Sequence, residues 1–155
     1  MSGLHPPLHG LDQALGGGGS VGPADSVFVE LPIVDGATIV AADCVSLAAS
    51  FGGTNAGRVL RADARFATLA PWFIGVCTVG GTGDAGGTVL ATVQIAGIYT
   101  DAGAAFTPGL LFLSVTGTGR PVNTVPSGAG NRYVEAGLAV SATEWLIQRG
   151  TSMGL

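Results

Sequence analysis

The chain has 155 residues, of which 47% are hydrophobic and only 10% charged; the mean hydropathy is +0.53 and the formal net charge −4. An ordinary soluble domain carries roughly 25% charged residues, so six Arg, ten acidic residues and no Lys cannot coat a free monomer in the usual way. The length suits one domain with a sizeable core, the acidic balance argues against a nucleic-acid partner, and no apolar run is long enough to span a membrane.

Residues 1–24 differ from the rest and are expected to form an extended N-terminal arm. Leu4, Leu8, Leu11 and Leu15 are spaced four, three and four apart, which places them on one face of a short helix. Pro6, Pro7 and Gly10 weaken that helix. Gly16 to Ser20 then make a flexible joint. The four leucines are the candidate partner-binding residues, reaching another subunit. His5 and His9 stand four apart, but no Cys, Asp or Glu cluster completes a metal set, so a capping or interface role is expected. No positively charged segment leads into an apolar core, so no secretory signal is expected.

Residues 25–155 read as a β-domain. Val27 to Leu31 is the first clear strand, with Phe28 and Glu30 on one side and Val27, Val29 and Leu31 on the other. Thr38 to Ala49 holds one or two strands, Val59 to Ala62 a short one, and Trp72 to Val79 another. Gly80 to Gly87 reads as a glycine loop. Val89 to Ala96 alternates with the period of a strand. Leu110 to Ser114, Arg120 to Thr124, Tyr133 to Ser141 and Glu144 to Gln148 follow, separated by Gly, Pro and Asn turn signals. No helix is expected in the body. The fold class is therefore all-β, a small β-barrel or β-sandwich with Gly-rich hairpins.

Residues 35–97 can be laid over residues 101–150. Ala42–Ala48 then falls on Pro108–Ser114, Phe73–Cys77 on Glu135–Ala139, and Thr92–Gly97 on Trp145–Gly150. The overlay suggests an internal duplication, though identities are few and a Gly- and Ala-rich chain aligns readily to itself.

The sequence offers little chemistry. Gly81–Gly86 fits G-x-G-x-x-G, but a strand follows it rather than a helix, so a hairpin loop is expected. Arg58, Arg61 and Arg65 surround Asp63; a solvated face or an inter-subunit ion pair is expected there rather than a phosphate groove. Glu135 and Glu144 are expected to face solvent. Trp72, Tyr99, Tyr133 and Trp145 are read as core or interface anchors before a sugar-stacking platform. Cys44 and Cys77 do not make a disulfide framework, and a bridge between them requires neighbouring strands. Catalytic residues, metal ligands and cofactors are all expected to be absent.

The run from Val93 to Gly97, then Pro108 to Ser114, then Ala136 to Thr143, together with Arg58 to Val76, resembles the capsid-cement, or head-decoration, family of tailed bacteriophages. Phe112 stands where that family usually has Tyr. The resemblance implies a structural virion protein on the capsid surface, made in the host cytoplasm. Its partners would be the major capsid protein and itself, as a homotrimer. The alternative is a fibre or spike component that binds host glycan.

Overall fold

The structure is a computed structural model and describes residues 25–48, 55–65, 73–148, 150 and 152–154. The leucines and histidines of the arm, Trp72 and Arg149 lie outside the described residues. The described chain has no helix and twelve strands: β1 (Val27–Pro32), β2 (Thr38–Ile39), β3 (Cys44–Leu47), β4 (Val59–Arg61), β5 (Phe73–Val79), β6 (Gly81–Thr82), β7 (Leu90–Thr100), β8 (Gly109–Leu113), β9 (Pro121–Val122), β10 (Arg132–Ala139), β11 (Glu144–Ile147) and β12 (Ser152–Gly154). The all-β expectation holds. Ten strands form one large, curled antiparallel sheet in the order β4-β3-β5-β7-β11-β10-β8-β9, with β1 on β7 and β12 on β10.

Two four-strand sets within this sheet follow the same plan. In the first, β3 pairs with β4 and β5, and β5 pairs with β7. In the second, β8 pairs with β9 and β10, and β10 pairs with β11. Their registers correspond as well. Cys44 lies opposite Val76, Val45 opposite Gly75 and Ser46 opposite Phe73; Leu110 lies opposite Leu138, Leu111 opposite Gly137 and Phe112 opposite Glu135. A one-residue slip interrupts both ladders at the same step.

The first set closes into a ring. β1 pairs with β7 along its length, and just beyond it Ile33 bridges to Val59 of β4, with the Val34 amide donating to the Val59 carbonyl at 2.9 Å. Alternation sends one face of each strand inward. Inside lie Ile33, Ile39, Val45, Val59, Cys77, Ala91 and Val93, all fully buried.

The second set turns the matching positions inward but has no such bridge among the described residues. Leu111, Leu113, Ala136, Ala139, Trp145 and Ile147 pack instead against the outside of the first ring, on Cys44, Ala62, Ala64, Phe73 and Val76. The loop after β8 fixes the contact: the Cys44 amide donates to the Gly119 carbonyl and the Ala64 amide to the Ser114 carbonyl, at 2.6 and 3.1 Å.

Several expectations change in detail. β7 runs on to Thr100, past Ala96, because Gly97 takes a positive φ of 93° and the strand exchanges β1 for β11 as its partner. The glycine loop contains a two-residue strand, β6, paired with β2. The expected polar strand at 120–124 is reduced to Pro121–Val122. β3 and β5 are neighbours, yet Cys44 and Cys77 are both free thiols, since they point into different cores.

Candidate functional site

Part of the scarce charge is used within the molecule: among the described residues Asp43, Arg58 and Asp63 are buried, while Arg65 and Arg120 pair with carboxylates at the surface. The Arg58 side chain is buried under the glycine loop and donates to the carbonyls of Asp84 and Ala85 at 2.8 and 2.9 Å. Arg65 grips Asp63 of the same chain through its Nε and through an Nη contact of 2.6 Å. Burial raises the Asp63 carboxyl, but the hydrogen bonds and charge of Arg65 outweigh that and hold it below the ordinary range. The Asp63–Arg65 pair lies within the chain, and Arg61 and Arg65 are exposed as a solvated face would have them, whereas Arg58 is buried. Arg120 pairs with Asp101. Asp43 is only 2% exposed and accepts the Val40 amide at 3.0 Å.

Most described aromatic side chains turn inward; Phe28, 51% exposed, does not. Trp145 is 1% exposed, with Tyr99 and Phe106 edge-on to it at 6.2 and 6.5 Å. Tyr133 leans on Phe112, and its hydroxyl donates to Glu135 Oε1 at 2.8 Å. Glu135 is consequently half-buried rather than solvent-facing, whereas Glu144 is exposed as expected. Among the described aromatics there is no exposed stacking platform, and among the described residues no cluster of His, Cys, Asp and Glu could hold a metal ion.

One cleft, of about 360 Å³, follows the open side of the second set between residues 101–106 and 120–124. Its polar groups satisfy one another. Arg120 meets Asp101, while Asn123 accepts the Thr107 amide at 2.9 Å and donates to the Thr107 carbonyl at 2.7 Å. These side chains tie residues 101–107 to residues 120–123 across the cleft.

The outer face of the second set is different. Leu110, Leu138, Leu146 and Ile98 stand opposite one another across β8, β10, β11 and β7. They form an apolar row across four strands. Leu110 is 47% and Leu138 37% exposed, Leu146 and Ile98 are half-buried, and Val140 is exposed near the turn that follows β10. The matching row of the first set is Cys44, Val76, Gln94 and Phe28. There Cys44 and Val76 are fully buried, because the second set covers them. Sequence reading missed this row, since each leucine looks ordinary until the registers align them.

Comparison with known proteins gives no match: no family model, curated protein or solved structure is similar to this chain. The apolar row across β8, β10, β11 and β7 is therefore the main functional observation.

Proposed function

We propose that this chain is a structural virion protein of the capsid-cement kind, which sits as a homotrimer across junctions of the major capsid protein and stabilises the assembled head. The matched registers of the two sets further lead us to infer that residues 35–97 and 101–150 are an internal duplication. The observation carrying the functional reading is the outward row Leu110–Leu138–Leu146–Ile98 on a chain with only 10% charged residues. Aligned apolar side chains on a charge-poor sheet mark a face meant for a partner. Completing the burial of a half-exposed leucine contributes roughly 1 kcal/mol. Such a contact is weak in one copy and strong when many copies bind a symmetric shell. A protein that binds the assembled shell but not its separated subunits stabilises the shell by mass action. The capsid-cement resemblance of Val93–Gly97, Pro108–Ser114 and Ala136–Thr143 supports the same reading.

The test is quantification in purified tailed-phage particles whose genes include this chain. A copy number comparable to that of the major capsid protein, with release of the protein lowering the temperature at which heads rupture, is the expected result. A few copies per particle would favour the fibre or spike alternative, and absence from the particle would overturn both.

A further inference from the structure

Among the described residues, one end of the first ring carries an uncovered hollow. Val29 and Leu31 of β1, Leu47 of β3, Ile74 of β5 and Ile95 of β7 surround a hollow of about 240 Å³ there, with no polar side chain among them. The hollow continues the ring's interior, since all five side chains pack on the same buried cluster or belong to it. The chain enters the ring at this rim. Val27 lies opposite Ala96, next to Ile95, and Ser26 Oγ accepts from Gln94 Nε2 at 3.2 Å.

We infer that the leucines of the N-terminal segment, Leu4, Leu8, Leu11 and Leu15, seat in this mouth of their own chain. Twenty-four residues precede Asp25 at the rim. Only ten positions separate Leu15 from Asp25, four of them the glycines Gly16–Gly19. A Gly-rich linker of that length has a root-mean-square span of about 17 Å, enough to return the leucines to the rim they start from. Tethering at such a distance gives an effective concentration in the millimolar range, so a weak aliphatic contact is populated within one chain before it is populated between chains. The chemistry matches, with unbranched spacing of aliphatic side chains on one partner and an all-aliphatic lining on the other. The inference gives the arm a seat on its own ring where the sequence suggested another subunit, and it is independent of whether the protein binds a capsid.

The experiment uses the full chain with a nitroxide attached at Gln13→Cys. The native thiols are protected: both are buried, and burial and the nearby Asp43 push Cys77 up to about 11. The methyl signals of Val29, Leu31, Leu47, Ile74 and Ile95 are expected to lose most of their intensity, and to regain it when the nitroxide is reduced. Replacing all four leucines by Ser should abolish the loss while the remaining spectrum stays that of a folded protein. Methyl-labelled chain without nitroxide, mixed with nitroxide chain without methyl label, should show no loss. Loss appearing only in that mixture would assign the mouth to a neighbouring copy and overturn the inference, as would unchanged methyl signals in the singly labelled chain.

Discussion

Gly75 and Gly137 hold corresponding places in two ladders of matching register. Gly75 lies opposite Val45 and Gly137 opposite Leu111, each beside the one-residue slip. A Cβ on Gly75 would sit 2.2 Å from the Gln94 carbonyl oxygen, and one on Gly137 would sit 2.1 Å from that of Leu146. Neither oxygen belongs to a movable side chain. Gly75→Ala and Gly137→Ala are each expected to cost about 2–4 kcal/mol, measured by urea denaturation. A neutral effect at either position would contradict the close backbone approach described for it.

Leu138→Asn should separate folding from association. The side chain is 37% exposed, so the folding cost is expected to be modest, about 1–2 kcal/mol, and to leave the protein folded. Binding to the particle, followed by co-sedimentation, should fall about tenfold or more if the leucine row is the contact, since each 1.4 kcal/mol is tenfold. Unchanged binding would remove the row from the interface.

How far the sequence could be read divides along a physical line. Alternation in Val89–Ala96 and the Gly, Pro and Asn punctuation around Leu110–Ser114 located most strands, because inward and outward positions differ in polarity within each strand. Pairing was less accessible. Leu110, Leu138, Leu146 and Ile98 belong to four strands, and only their registers make them one row. The turn of β7 from β1 to β11 depends on the backbone at Gly97 and leaves the hydrophobic pattern almost unbroken. β6 and β12 have two and three residues, too few to show a period. Arg58 looked like surface charge because a sequence window cannot reveal two carbonyls waiting twenty-six and twenty-seven residues away.

Arg58 is expected to be structural and not replaceable by Lys. Its fork meets two loop carbonyls at once, which a single ammonium cannot reproduce. Arg58→Ala should cost about 1–3 kcal/mol, and Arg58→Lys should recover little of it. Amide exchange at Gly87 and Thr88, whose N–H groups bond to Asp84, should quicken in both variants. Full rescue by Lys would show that charge alone matters there.

Asp43 sets a pH dependence with a definite sign. Burial pushes its carboxyl above the ordinary value, against the Val40 amide and the Arg61 and Arg120 charges, which pull it back. The folded state therefore holds this proton more tightly than the unfolded chain, whose Asp titrates near about 3.9. The group's stabilising contribution is complete below that value and is lost as pH rises through the raised folded value. Asp43→Asn keeps an acceptor for the Val40 amide and removes the titration. Relative to the variant, the parent should lose stability as the pH of urea titrations rises from about 4 to about 7. A parent that gains on the variant over that range would reverse the sign.

The strand β7 belongs to both halves: Leu90–Ala96 completes the ring, and Gly97–Thr100 carries β11. Neither half can be excised with a full complement of ladders, so the chain should melt as one cooperative body despite its repeated plan. A backbone cut at Gly97 would yield two incomplete pieces that recover structure only by recombining. The shared strand welds the two halves, and extending the plan by a further set would require another such common strand.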